Sequence, residues 1–346
     1  MARPWAADQS EVRDFVIEAI AHDGRNLSKQ IQDRFDVARP TASKYIKTLV
    51  DENILRRTKP GKYELIQQEN IVYLPLEGLQ EHVVWIEDIQ PLLAGLPSNV
   101  QEIWQHGCTE MINNAVDHSE GRNLTVSVEG DPIKTIITVY DDGIGIFRKI
   151  ADALDLEDDR HAVLELAKGK FTTDPANHTG EGIFFTSRMF DDYDINSGDV
   201  FFKHYQDTDQ DWILGEEHRS DPPRRGTYVY MALNNKSDRE LQDIFDQYAD
   251  EDGDYAFDKT VVPVKLLSYG DERLVSRSQA KRLLARFERF RTVVLNFEGV
   301  DSIGQAFADE VFRVFQLQHP NVELIPINAN ERVSQMITRA FRPAGN

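Results

Sequence analysis

Glu110 and Asn114 stand four residues apart in Glu110-Met111-Ile112-Asn113-Asn114-Ala115-Val116-Asp117-His118, and Asp141-Asp142-Gly143-Ile144-Gly145 follows one hairpin later. On a helix turning about 100° per residue, Glu110, Asn114 and Asp117 share a polar stripe, and Trp104, Cys108, Met111, Ile112 and Ala115 fall on the far side. A carboxylate on that stripe can take a proton from an attacking water. The amide oxygen one turn on can complete a magnesium shell built largely of phosphate oxygens and water. An ordinary amphipathic helix with a solvated face shows the same stripe, so the helix alone decides nothing.

The elements around it narrow the choice. Leu124, Val126 and Val128 alternate in one run and Ile136, Thr138 and Tyr140 in the next, with Gly130-Asp131-Pro132 as the turn between two strands. That hairpin delivers Asp141 to a strand end, where a carboxylate can accept a hydrogen bond from an exocyclic amine such as that of adenine. Gly143 and Gly145 let backbone approach a ligand closely. In Asn177-His178-Thr179-Gly180-Glu181-Gly182-Ile183-Phe184, two glycines precede the apolar start of a helix, whose free N–H groups can face phosphate. Lys168 and Lys170 border that segment and are candidates to meet a terminal phosphate. Arg224-Arg225-Gly226-Thr227 opens a further strand, on which the threonine hydroxyl can support Asp141 or a bound water.

In this order the four elements resemble the GHKL superfamily, which includes the gyrase B subunit, the large heat-shock chaperones, the MutL repair proteins and the catalytic domains of histidine and anti-sigma-factor kinases. The resemblance covers about residues 80 to 235. It implies an α/β sandwich of the Bergerat type binding ATP and Mg²⁺, with Glu110 as general base and Asn114 as metal ligand. It further implies Asp141 as adenine reader, Gly143 and Gly145 as the adenine-side turn, Gly180 and Gly182 under the phosphates, and Thr227 as support. Asp117 and Lys170 join the expected nucleotide-binding set. Two departures stand out: Phe184 replaces the usual small or aliphatic residue after Gly182, and the stretch between Lys168 and Thr179 is short. His106 is followed by Gly107 and His118 by Ser119, so the acidic neighbour of a phospho-accepting histidine is missing and a conventional two-component sensor is not expected.

Ahead of this region, residues 1–66 carry 12 Lys/Arg against 10 Asp/Glu, a net of +2 that leaves −22 for the rest of a chain totalling −20. Only this segment suits a polyanion. Glu11 to His22 reads as a helix with Val12, Phe15, Val16, Ala19 and Ile20 inward. Leu27 to Phe35 reads as a second and Pro40 to about Asn53 as a third, and a basic hairpin, Arg56 to Tyr63, follows. The pattern resembles a winged helix-turn-helix. By that resemblance Thr41, Ser43, Lys44 and Lys47 would enter a major groove of double-stranded DNA, and Arg56, Arg57, Lys59 and Lys62 would meet phosphates. A winged helix that packs only against protein is the alternative.

The C-terminal third alternates: strand Thr260–Leu267, helix Ser276–Phe290, strand Thr292–Phe297, helix Gln305–Leu317, strand Val322–Ile327, helix Glu331–Phe341. Thr292-Val293-Val294-Leu295-Asn296-Phe297 followed by Gly299-Val300-Asp301-Ser302-Ile303-Gly304 resembles a STAS domain, the fold of anti-anti-sigma factors. Ile303 occupies the place of the serine that is phosphorylated in regulated relatives, which argues against phosphoryl transfer onto this unit. An acidic stretch, Asp238 to Asp254, is expected to link it to the ATP unit as a helix plus solvated chain.

The expected fold is thus α/β multidomain (α+β). Residues 1–66 form a winged helix-turn-helix, 67–236 a GHKL ATP-binding domain, 237–256 an acidic connector and 257–346 a small STAS-like α/β domain. No apolar run approaches the roughly 18 to 20 residues of a membrane span, and the start is polar rather than signal-like. The single cysteine, Cys108, excludes an intramolecular disulfide and fits a reducing cytoplasm. Three functions fit these features: a regulator in which Mg-ATP controls DNA binding, an anti-sigma-type serine/threonine kinase acting on a STAS-type partner, and a non-catalytic nucleotide-sensing scaffold. A homodimer is expected, since winged helices commonly read paired half-sites.

Overall fold

The computed structural model describes residues 8–22, 24–171, 180–205, 210–213, 224–249, 257–268 and 273–341. Helices α1 (Gln9–His22), α2 (Leu27–Phe35) and α3 (Arg39–Asp51) open the chain. Asp36 ends α2 in a left-handed conformation, and Pro40 sits in the first turn of α3, where a missing N–H costs nothing. Strands β1 (Leu55–Lys59) and β2 (Lys62–Leu65) form an antiparallel hairpin around Pro60-Gly61. Val12, Val16, Leu27, Ile31, Ala42, Ile46, Leu49 and Leu55 make a core separate from that of the rest of the molecule. Phe15, Ala19 and Ile20 pack against it only partly buried, because α1 turns that flank toward the surface.

The chain then enters β3 (Gln68–Pro75), followed by α4 (Glu81–Val84) and α5 (Gln90–Leu93), joined by a π turn at Trp85–Ile89, and the long α6 (Ser98–His118). Next come β4 (Asn123–Gly130), β5 (Lys134–Asp141), α7 (Ile146–Leu154), α8 (His161–Lys168) and α9 (Gly182–Met189). Strands β6 (Asp192–Gly198), β7 (Val200–Tyr205), β8 (Gln210–Ile213) and β9 (Arg224–Asn234) complete a seven-stranded antiparallel sheet in the order β3-β4-β5-β9-β6-β7-β8. Helices α6, α7 and α9 pack on this sheet through β5, β6 and β9.

Register decides which side chains meet those helices. Leu124, Val126 and Val128 lie opposite Asp141, Val139 and Ile137, so all six share the covered face. Ile136, Thr138 and Tyr140, the alternating set legible in the sequence, therefore occupy the opposite face. Asp141 is carried inward by the same alternation.

After α10 (Leu241–Asp246), a second sheet is built from β10 (Lys259–Pro263), β11 (Thr292–Asn296) and β12 (Glu323–Ile327), all parallel in the order β10-β11-β12. Its helices are α11 (Arg277–Leu284), α12 (Gln305–Asp309), α13 (Gln316–Gln318) and α14 (Glu331–Phe341), with a π turn at Glu310–Phe315. Val293, Val294 and Leu295 are consecutive and buried, as expected where a parallel strand is covered on both faces. The predicted strand 260–267 stops at Pro263 and tightens into a 3₁₀ turn at Val264–Leu267. The predicted helix 276–290 stops at Leu284, because Arg286 adopts φ 68° and starts a new turn. Ser276 caps α11 by accepting from the Gln279 N–H at 3.1 Å, and the Gln279 carboxamide returns the bond in a capping box.

The two larger units share one continuous core from Leu76 to Ala340. The stretch expected to be a solvated link contributes to it: Ile244 and Tyr248 are buried, and Asn99 holds the chain by donating to the Ser237 and Arg239 carbonyls. Residues 250–256 of that stretch lie outside the described residues. Phe257 packs against Phe184, Phe185 and Phe290, joining α9 to the start of the parallel sheet. Each buried ring of this kind contributes about 1.5–3 kcal/mol of burial free energy.

Candidate functional site

A cavity of about 370 Å³, within the usual size of small-molecule sites, lies between α6 and the inner face of the large sheet. One side of α6 buries Val100, Ile103, Trp104, Cys108 and Ile112; Glu110, Asn113, Asn114 and His118 line the cavity. The facing strands supply Val139, Ile195 and Val229 as apolar walls, with Asp141 and Thr227 as polar ends. Gly145, Ile146, Lys149 and Ile150 come from the start of α7, and Gly180, Gly182 and Ile183 from the start of α9.

Asp141 is only 5 % exposed. Its Oδ1 accepts from the Gly143 N–H at 2.9 Å, and Thr227 bonds it through both backbone and side chain. Burial pushes its carboxyl above the usual aspartate range, with the bonds from Gly143 and Thr227 pulling the other way. Thr227 Oγ1 also accepts from the Ile146 N–H at 3.0 Å, tying the carboxylate to the first turn of α7. Such an acid, held in a fixed orientation at the end of an apolar slot, presents acceptor oxygens to a ligand amine. The strands come close here: a Cβ on Gly226, at φ 82°, would lie 1.9 Å from the Asp141 carbonyl oxygen.

At the other end, Glu110 reaches the N-terminus of α9. A Cβ built on Gly182 would stand 2.0 Å from Glu110 Oε2, so glycine is what lets this carboxylate lie against the helix end. The first N–H groups of a helix have no intrahelical partner, and the side chain of Glu181 does not cap them. The positive end of the α9 dipole is therefore where the Glu110 carboxylate lies. Asn114 Nδ2 is buried with no hydrogen-bond partner among the described residues, an orphaned donor facing the same volume.

The cavity brings together Glu110, Asn114, Asp141, Gly145, Gly180, Gly182 and Thr227 from the expected set. Gly143 stands just behind it, its N–H turned to Asp141. Asp117 is exposed and does not line the cavity, since the cavity face runs obliquely along α6 and ends at His118. Lys170 is also elsewhere: its Nζ pairs with Asp258 at 3.0 Å and donates to the Arg289 carbonyl. Lys168 is fully buried between Glu165 at 2.6 Å and the carbonyls of Arg282 and Ala285, and burial pushes its pKa down to about 8 against the pull of Glu165. Asn177, His178 and Thr179 lie outside the described residues.

Several contributors escaped the sequence reading. Lys149, at the rim, donates to the His118 carbonyl at 2.7 Å and pairs with Glu120 at 3.2 Å. Its place one turn into the helix after Gly145 was the available signal. Asp142 accepts from the backbone N–H groups of Arg122 and Asn123 and from Asn123 Nδ2, which holds its carboxyl below the usual range and pins the loop after α6. Among the described residues, no group of three or more His, Cys, Asp or Glu forms a metal cage. A magnesium ion at Asn114 would accordingly take most of its ligands from phosphate and water, as the donor set allows.

In the N-terminal unit, Ser43, Lys44 and Lys47 are exposed on α3 and Thr41 is half-buried. Arg56, Arg57, Lys59 and Lys62 are exposed on the hairpin; Arg56 and Lys62 both pair with Glu64, at 3.5 and 3.3 Å, which offsets part of their charge.

The parallel three-stranded unit has a recognisable relative. Residues 279–334 match the family model of a STAS-like domain of unknown function, DUF4325. The matched stretch spans α11 to the first turn of the last helix of this STAS-like domain. No curated protein matches the chain. A solved structure assigned to the GntR family of transcriptional regulators aligns with 64% of this chain and 90% of its own at 8% identity and a TM-score of 0.14, a likeness too low to carry an argument. Among the described residues no helix is long and apolar enough to cross a membrane.

Proposed function

We propose that the chain is an ATP-responsive DNA-binding regulator, in which Mg-ATP in the cavity under α6 controls a winged helix-turn-helix at the N-terminus. The observation that carries this reading is the meeting, in one cavity, of a buried strand-end carboxylate, Asp141, with a second carboxylate, Glu110, set against a glycine-led helix end. Asp141 and Thr227 hold the base, Val139, Ile195 and Val229 of the sheet form an apolar wall along it, and the end of α9 with Asn114 meets the phosphates. Magnesium, when bound, neutralises phosphate oxygens. Glu110 takes the proton of an attacking water, which separates turnover from mere binding.

The route to DNA is short. Strands β5 and β9 carry Asp141 and Thr227 at one end and reach the turns around Asp131 and Lys236 at the other. Lys236 pairs with Asp14 of α1 at 3.1 Å, a largely exposed contact worth little on its own. The N-terminal unit has a core of its own, so a change in its seating leaves its own packing intact. Nucleotide changes its position only by binding one arrangement more tightly; a shift from mostly off to mostly on needs about 5.5 kcal/mol of differential affinity. We take the active form to be a homodimer reading paired half-sites.

The deciding experiment is a DNA-binding selection with no nucleotide, with ADP and with a non-hydrolysable ATP analogue, beside calorimetry of Mg-ATP uptake by the parent and by Asp141→Ala. Nucleotide-dependent DNA retention is expected, with uptake lost in the variant. Equal uptake by both proteins would overturn the reading.

The STAS-like match favours a second reading, a serine/threonine kinase of the anti-sigma type in which Glu110 deprotonates a hydroxyl of a STAS-type protein partner. Labelled γ-phosphate ending on protein rather than in solution would select it. ATP held without release of ADP would instead select a nucleotide-sensing scaffold.

A further inference from the structure

Residues 168–171 connect the end of α8 to the cavity, and three of their carbonyls are bonded by the C-terminal unit. The Lys168 carbonyl accepts from Thr260 Oγ1 at 2.8 Å, the Gly169 carbonyl from Arg286, and the Lys170 carbonyl from Arg289 Nη1 at 3.1 Å. The side chains reinforce this grip. Lys168 Nζ donates to the carbonyls of Arg282 and Ala285, and Lys170 pairs with Asp258. Arg286 pairs with Glu165 at 3.1 Å inside the same buried cluster and places its guanidinium 5.1 Å from the ring of Phe171.

Phe171 is itself a cavity wall, and its N–H donates at 3.2 Å to the carbonyl of Gly180, another wall residue at the phosphate end. Three consecutive carbonyls thus fix a short strap from outside the nucleotide unit, and the next residue shapes the site. Gly169 tightens the fit: at φ 76°, its Cβ would stand 2.7 Å from the Phe257 ring.

We propose that the C-terminal unit, whose residues 279–334 are STAS-like, holds the cavity wall in its ligand-binding form, with Arg286, Arg289 and Thr260 as positioning residues acting through the 168–171 strap. Whatever binds or strains that unit is then felt at Phe171 and Gly180. The STAS-like domain becomes the input of the switch, and the nucleotide site its relay. This deepens the ATP reading above, and the test separates the two.

The test uses the full chain as Arg289→Ala, Arg289→Lys and Arg286→Ala, with Arg339→Ala as a surface control remote from the strap. Arg289 is exposed, so its variants are expected to fold even if Arg286→Ala does not. Amide exchange at Phe171 is followed without nucleotide, and Mg-ATP affinity by calorimetry. Loss of one hydrogen bond corresponds to a factor of about three to ten, so Arg289→Ala should speed Phe171 exchange and weaken ATP by that factor. Lysine should restore most of both, with the melting temperature little changed. Phe171 exchange unaltered in Arg289→Ala would overturn the proposal, as would faster exchange with unchanged ATP affinity. Should the parent take up no ATP, the nucleotide reading falls, and the exchange result alone decides whether this unit positions the wall.

Discussion

On the ATP reading proposed above, Gly182→Ala isolates the geometry on which turnover would depend. Alanine is compatible with the backbone there, because Gly182 is not among the residues at positive φ. The added methyl would stand 2.0 Å from Glu110 Oε2, so the carboxylate must retreat by roughly 1.4 Å to reach ordinary contact. A carboxylate at the end of two methylenes can do so by rotation at about 0.5–1.5 kcal/mol. Replacing glycine at a helix start returns up to about 1 kcal/mol. The two nearly cancel, so the melting temperature should move by less than about 4 °C. Catalysis has no such compensation: a 1 Å misplacement of a catalytic group costs on the order of a hundredfold, or about 2.7 kcal/mol of transition-state stabilisation. Phosphate-release kinetics should show kcat/KM down by that factor, approaching Glu110→Gln, which removes the base and is expected to lose about 10²- to 10⁴-fold. Because the methyl acts through Glu110, adding it to Glu110→Ala should cost little more, a non-additivity that a double-mutant cycle detects. Gly226→Ala is the contrasting control: its Cβ meets backbone at φ 82°, so it should destabilise by about 1–3 kcal/mol. Parental turnover in Gly182→Ala, or full additivity with Glu110→Ala, would refute this placement of the base.

Two further outcomes follow from the same structure. Because burial raises the Asp141 carboxyl, the folded state holds its proton more tightly than the unfolded chain; its favourable contribution is complete below the ordinary range near 3.8 and is lost as pH rises through the raised value. Asp141→Asn should therefore melt at or above the parent at pH 7, with the gap closing toward pH 3.5, while losing nucleotide uptake; a variant less stable than the parent at pH 7 would contradict the dominance of burial. In the N-terminal unit, Lys44→Ala and Lys47→Ala should each lower the slope of log affinity for duplex DNA against log salt by about 1, and titrations over a salt series giving parental slopes would remove α3 from the interface.

The sequence made most of the architecture legible where pattern and punctuation agreed. Pro40 located the start of α3 to within a residue, and the apolar runs at 292–297 and 322–327 located β11 and β12. It misled where tertiary packing chose between local options. Leu284 to Phe290 keeps apolar spacing, yet Arg286 leaves the helix to reach Glu165 and the Gly169 carbonyl. Lys170 has the type and place of a phosphate ligand, but Asp258, 88 residues away, claims it. No local pattern encodes a partner that distant. That Glu110, Asn114 and Asp141 face one volume was readable because helical and strand periods fix their directions; that Lys149 joins them was not, because its place depends on where α7 docks.

Cys108 sits on the side of α6 turned away from Glu110, wholly enclosed, with burial driving its thiol far up from the usual range. Alkylating reagents attack the ionised sulfur, so this atom is silent while α6 stays seated. The molecule thereby carries its own stopwatch: the pace of labelling counts excursions of the helix that bears Glu110, without any engineered probe. A compound that clamps that helix from the opposite side will slow the count.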